Sequence, residues 1–475
     1  MESVNFCFNR RFVYFICLVS AMGGLLFGYD WVVIGGAKPF YEVFFGIAGH
    51  PEKQGLAMSI ALGGCLVGAM VCGWLGDKLG RRPLLLISAV IFLLSAYATG
   101  AFDVFSLFLG ARFVGGIAIG IASGLSPMYI AEIAPSHIRG RLVSLNQLTI
   151  VLGILGAQIV NYLIAEPMAP GTTIAPAGSW NVTAGWRWMF WSAAFPAALF
   201  LLLAIFIPES PRWLALHGKT KTARRILARI GGNDYASSEI DTICSHSTRQ
   251  RSEGGLRTLF GLRFRKVLLI GIFIAMFQQW CGTNVIFNYA QEIFSDAGFD
   301  LGEMLFNIVL TGITNVVFTI AAIYSVDRLG RKKLMLIGAG GLAIIYSVLG
   351  ACYYMHLTGF FMVILVVAAI GCYAMTLGPV TWVLIAELFP NQVRAAAVAT
   401  CTFALWTASF ALTYTFPLLN NALGSYGTFW IYAGVCAAGF LFCAARLPET
   451  KGKSLEQLEN ELTREGESQI ISTDF

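Results

Sequence analysis

Gly76-Asp77-Lys78-Leu79-Gly80-Arg81-Arg82 closes an uncharged run at 54–76. It returns as Val326-Asp327-Arg328-Leu329-Gly330-Arg331-Lys332 at the end of a second uncharged run, 304–326, an offset of 250 residues. Ile130-Ala131-Glu132-Ile133-Ala134-Pro135-Ser136-His137-Ile138-Arg139 recurs as Ile385-Ala386-Glu387-Leu388-Phe389-Pro390-Asn391-Gln392-Val393-Arg394 at offset 255, and Pro208-Glu209-Ser210 as Pro448-Glu449-Thr450 at offset 240. Three matches at similar offsets, each at the end of an apolar run, point to a duplicated unit.

The runs between the repeats set the architecture. Stretches without Asp, Glu, Lys or Arg cover 12–29, 54–76, 83–102, 113–131, 142–165, 188–208, 267–291 and 304–326, each long enough for one transmembrane helix. Two longer stretches, 334–386 and 395–445, hold two spans each, broken near Tyr354–Gly359 and Asn420–Gly427. The expected fold is therefore all-α, with twelve transmembrane helices in two six-helix halves related by a pseudo-twofold. The halves are 12–207 and 267–446, joined by a linker at 208–266 and followed by a tail at 447–475. Residues 167–186 are also uncharged, but Pro167, Pro170 and Pro176 among glycines read as an exposed loop. The first run lacks a small-residue cleavage pattern and continues into Tyr29-Asp30, so it is expected to be retained.

With 57% apolar or aromatic and 12% charged residues, a water-soluble fold is excluded. Solid apolar runs argue against a β-barrel, whose strands alternate. The net charge of +6 does not mark a nucleic-acid binder. With both termini in the cytoplasm, 28 of 32 basic residues fall on the cytoplasmic side, while Lys38, Lys53 and Arg187 fall outside and Arg112 lies within a span. In the linker, Ala223, Ile226, Leu227 and Ile230 share one helical face and Lys221, Arg224, Arg225 and Arg229 the other, as in a surface-lying amphipathic helix. Eleven scattered cysteines and five scattered histidines suggest no disulfide frame, metal site or cofactor.

Two similar halves rocking about a central site suit a carrier better than a channel or receptor. Asp30 and Arg112 read as the only acid and base deep within spans, each about 10 Å from the outer face. A carboxylate at that depth costs about 2.5 to 3.5 kcal/mol unless paired or hydrated. An acid whose charged form is favoured beside Arg, and whose neutral form is favoured when desolvated alone, can take and release a proton; a static ion pair is the plainer alternative. Gln147, Gln278, Gln279, Asn284 and Asn315 are mid-span amides. They can match sugar hydroxyls, which both donate and accept, while Trp382 offers an apolar face to a sugar ring. Interhelical glue is the plainer reading of any one of them.

The chain resembles the sugar porter family of the major facilitator superfamily. The resemblance rests on Asp77-Lys78-Leu79-Gly80-Arg81-Arg82, Pro208-Glu209-Ser210-Pro211-Arg212-Trp213-Leu214, Gln278-Gln279 with Asn284, Gly378-Pro379 with Trp382, and Pro448-Glu449-Thr450-Lys451-Gly452. The opening Gly23-Gly24-Leu25-Leu26-Phe27-Gly28-Tyr29-Asp30 is similar to bacterial proton-coupled sugar symporters; facilitative glucose carriers of mammals usually have Asn at Asp30. The resemblance implies proton coupling at Asp30 and Arg112. It also implies a sugar pocket of Phe27, Gln147, Gln278, Gln279, Asn284, Asn288, Asn315, Gly378, Trp382 and Trp406. Asn288 stands where the family usually has Tyr, and Leu405 where it usually has an amide, so the preferred sugar stays open. A conformational latch is expected from Asp77, Arg81, Glu132, Arg139, Glu209, Asp327, Arg331, Glu387, Arg394 and Glu449.

The expected function is import of a monosaccharide with a proton, by a monomer in the plasma (bacterial inner) membrane, with the bilayer its other partner. A facilitative uniporter is the competing reading, and a non-transporting sensor or a membrane enzyme fits the sequence less well.

Overall fold

Uncharged runs bounded by basic residues, Gly and Pro become long helices because a helix satisfies every backbone hydrogen bond within its own segment, as hydrocarbon demands. In the computed structural model, which describes residues 8–135, 137–169, 171–172, 174–250, 259–389 and 393–451, eleven helices are long and apolar enough to cross a membrane. The first six spans are Arg10–Phe44, Pro51–Leu79, Arg81–Ala101, Phe105–Ile133, Arg139–Ile164 and Asn181–Ala204. The seventh is interrupted, running Leu262–Trp280, Thr283–Asn288 and Ala290–Asp296. The eighth and ninth are Leu301–Leu329 and Arg331–Tyr354; the tenth is split into Phe360–Met375 and Leu377–Leu388. The last helix, Arg394–Arg446, would be about 80 Å long if straight, but Gly424 inside it has φ +67°, so it folds back as the eleventh and twelfth spans. Twelve spans result, as the sequence implies.

Small residues let these helices approach closely, the usual packing mode in membranes. A Cβ on Gly28 would stand 1.9 Å from the Ile150 carbonyl oxygen, and one on Gly153 2.1 Å from that of Leu25, so the first and fifth spans meet backbone to backbone. Gly116 against Ala61 and Gly120 against Cys65 do the same for the fourth and second spans, at 2.0 and 2.2 Å. Gly153→Val is expected to force the first and fifth spans apart and to lower stability by several kcal/mol. Thermal unfolding in detergent would measure it.

Between the halves, the second span packs on the eleventh and the fifth on the eighth. The close contacts cluster on the side away from the termini, here called the far side: a Cβ on Gly55 would lie 2.4 Å from the Tyr414 carbonyl oxygen, and Tyr162 meets Phe306 at 6.2 Å between rings.

Three expectations change. The loop at 167–186 is shorter than read, because the sixth span begins at Asn181 and takes in Arg187. Asn181 is itself buried: its amide donates to the Glu166 carbonyl at 3.0 Å and its Oδ1 accepts from the Glu166 N–H at 2.8 Å. Asn181-Val182-Thr183 fits the pattern of a glycosylation sequon, but with Asn181 buried and paired it presents no free acceptor. Lys38 is not in a loop, since the first span runs through Pro39 to Phe44, and Asp30 and Arg112 are therefore not the only charges deep in the spans. In the linker, helix Thr220–Gln250 buries Ala223, Ile226, Leu227 and Ile230, as its periodicity implies, and bends at Gly232 (φ +90°). Most of the tail lies outside the described residues.

Candidate functional site

The first span places Phe27 and Asp30 one turn apart, and the fourth places Arg112 opposite. The Arg112 Nη1 to Asp30 Oδ1 distance is 2.6 Å with both side chains buried, so the two charges assigned from sequence do meet. The guanidinium also lies over the Phe190 ring at 5.5 Å, while its Nε–H has no hydrogen-bond partner. With both side chains buried, the charge balance of the pair is costly to upset.

The C-terminal half supplies most of the polar residues expected to line a sugar crevice. Gly282 adopts φ +87°, a left-handed backbone that breaks the seventh span, and Asn284 follows in the short helix after the break. Asn284 Nδ2 donates to Gln279 Oε1, Gln279 Nε2 donates to Gln278 Oε1 at 2.7 Å, and Gln278 Nε2 reaches the Gly378 carbonyl oxygen at 3.5 Å. This ladder ties the broken seventh span to the broken tenth, where Thr376 (φ −125°, ψ −88°) interrupts the helix just before Gly378. Amides bonded in series can exchange partners for a ligand's hydroxyls without leaving any polar atom unpaired. Asn288 and Asn315 are buried, Gln147 is half-buried, and Trp382 is 39% exposed. Phe27 meets Trp406 edge to face at 5.5 Å, so an aromatic contact crosses from one half to the other in the same region.

Sequence reasoning missed Gln158. It is buried, its Nε2 lies 3.4 Å from Thr311 Oγ1 of the other half, and a Cβ on Gly312 would lie 1.9 Å from its Oε1. The signal was present: Gln158 follows Gln147 by eleven residues, about three helical turns, and so shares its face. Also missed was a cluster of the buried Lys38 and Glu42 with the half-buried Glu292.

At the side of the termini, the duplicated motifs build two equivalent clasps. Arg81 Nη2 lies 3.0 Å from Glu132 Oε1, its Nη1 3.1 Å from Asp77 Oδ1, and its backbone N–H donates to Glu209 Oε1 at 2.9 Å. The other half repeats this: Arg331 Nη2 lies 3.0 Å from Glu387 Oε1, and its N–H donates to Glu449 Oε1 at 2.9 Å. Glu209 and Glu449 each cap the first N–H groups of a helix remote in sequence, where a carboxylate also complements the helix dipole. Gly80 (φ +98°) and Gly330 (φ +92°) make the turns; a Cβ there would lie 2.4 and 2.8 Å from those same carboxylates. Each clasp closes within its own half rather than between halves. Arg139 and Arg394 form no ion pair among the described residues and donate to the carbonyls of Ala134 (3.3 Å) and Phe389 (3.1 Å). The side chain of Asp327 lies outside the described residues.

Twelve spans in two like halves, a buried acid–base pair and a ladder of buried amides define a secondary carrier. The sequence pattern of the family described as "Sugar (and other) transporter" matches residues 16–462, and the chain belongs to that family. It is 39% identical to the arabinose-proton symporter of Bacillus subtilis over 95% of both chains. It is 38% identical to the D-xylose-proton symporter of Escherichia coli over 96% of this chain and 97% of that one. Among solved structures, the partially occluded inward-open form of the E. coli xylose transporter superposes with a TM-score of 0.82 at 36% identity, over 94% of this chain and all of that one. The proton:xylose symporter bound to 6-bromo-6-deoxy-D-glucose superposes at 0.79 and 37% identity, over 96% of this chain and all of that one.

Proposed function

We propose that the protein takes up a monosaccharide, a pentose or hexose, together with a proton by alternating access. One observation carries this reading: the first span bears both Phe27, in contact with the crevice residue Trp406, and Asp30, in contact with Arg112. Movement of one helix therefore changes the sugar pocket and the proton group together. Relatives whose names specify arabinose or xylose with a proton support the substrate class. Phe27, Gln147, Gln278, Gln279, Asn284, Asn288, Asn315, Gly378, Trp382 and Trp406 form the sugar site in this reading. The basic bias puts both termini in the cytoplasm of a plasma membrane, so the far side is outside. The protein works as a monomer. Labelled pentoses and hexoses offered to proteoliposomes, with and without an inward pH gradient, test the whole reading; sugar that never exceeds the outside level would make it a uniporter.

The clasps form the latch of this cycle. Closing the cytoplasmic side brings Arg139 and Arg394, which have no ion partner among the described residues, toward acids of the opposite half. Glu132→Gln with Glu387→Gln is then expected to populate the inward-open form. Cysteine probes on the cytoplasmic side should label faster, and unchanged labelling with lost transport would assign the charges to folding instead.

A further inference from the structure

Lys38, Glu42 and Glu292 are charged and unused by the mechanism above; Lys38 and Glu42 are buried, and the Glu292 side chain is 24% exposed. Lys38 is 1% exposed; its Nζ lies 2.9 Å from Glu42 Oε1, one turn further along the first span, and also pairs with Glu292 on helix Ala290–Asp296 of the other half. Glu42 is held a second time within its own half, accepting from Gln54 Nε2 at 3.0 Å. The Tyr289 ring stands 5.5 Å from Lys38 Nζ, Trp31 meets Phe287 at 5.8 Å, and a Cβ on Gly35 would lie 2.9 Å from the Phe287 carbonyl oxygen. These contacts join the outer end of the first span to the segment beyond the Gly282 break.

A lysine this deep needs a partner in every conformation, because an unpaired buried ammonium costs several kcal/mol. Two carboxylates satisfy that need when only one can follow the moving half. We propose that Lys38 is the positioning residue of the outer gate: it bolts the first span to Glu292 when the outside is closed and passes to Glu42 alone when the outside opens. The proposal rests on the alternating-access reading and adds a device to it. Glu292 is the strike plate and Glu42 the resting partner, so opening never strands the ammonium.

Spin labels at Lys53→Cys and Leu357→Cys, exposed positions on the outer ends of the two halves, report the gate as a distance distribution in lipid nanodiscs. Glu292→Gln and Lys38→Met should each raise the long-distance population by about threefold or more. Glu42→Gln should lower it, since Lys38 then has only the cross-half partner. Exchanging the charges, Lys38→Glu with Glu292→Lys, rebuilds the cross-half ion pair and should reverse the rise seen in the two single variants. Unchanged distances in the single variants, or no recovery in the exchanged pair, would reduce the cluster to packing. If Lys38→Met fails to insert, Glu292→Gln and the exchanged pair still decide. Concentrative sugar uptake by the parent protein is followed alongside: uptake with unmoved distances sinks the gate and leaves symport standing, whereas a parent that never concentrates sugar sinks symport itself.

Discussion

Asp30→Asn is expected to abolish accumulation of sugar against its gradient while leaving sugar binding and exchange in place. The carboxylate is buried 2.6 Å from Arg112, where its charge is affordable only because of that partner. In the proposed cycle, water reaching Asp30 when the outside opens would supply the proton; neutralisation would weaken its hold on Arg112 and free the first span to move with Phe27 and the bound sugar. Inside, the proton leaves and the pair re-forms. Asn resembles the protonated acid and still offers an oxygen to Arg112, so folding and movement survive while the proton no longer drives them. For one proton per sugar, each unit of pH gradient is worth about 1.4 kcal/mol, or a tenfold concentration ratio. Proteoliposomes carrying Asp30→Asn should stop at the outside concentration under the same gradient. Accumulation by the variant would place coupling elsewhere.

Gln279→Ala and Trp382→Ala should each weaken sugar binding by about ten- to a hundredfold, from the loss of one or two buried hydrogen bonds or of a stacking face. Gln279 sits at the centre of the ladder, accepting from Asn284 and donating to Gln278, so its removal takes a partner from two other amides at once. Trp382 is 39% exposed on the broken tenth span and has little structural work to lose. Titration calorimetry on the purified variants measures the effect. Affinity unchanged in both would make the amides helix glue and move the sugar site away from them. Gln158→Ala, at the seam with Thr311, separates the two roles further: a loss of binding there extends the pocket to the fifth span.

Spans, halves and the Asp30–Arg112 contact were legible because each leaves a mark along the chain: uncharged length, a repeat, or a charge that must find its only affordable partner. Lys38 was misplaced for the same reason. Charge was read as the end of a span, yet the ion partner that keeps Lys38 buried is Glu292, 254 residues away, and no local pattern announces it. The sixth span was begun too late because Arg187 and the prolines before it look like loop; Asn181 is nevertheless buried, satisfied by the backbone of Glu166. The clasp residues were picked out by their duplication. Their pairing within halves was not, since Glu209 reaches Arg81 only after six spans have folded around it.

Glu209 and Glu449 stand just past the last span of their own halves, so each clasp is completed by its own half's final residues. A graft made in the linker, joining residues up to the sixth span to the second half of a relative, would sever neither clasp. Its mismatches would fall at the Gln158–Thr311 and Gly55–Tyr414 contacts and at the Lys38–Glu292 bond. Because the crevice amides except Gln147 lie in the second half, such a hybrid should inherit its taste in sugars from one parent and its response to protons from the other.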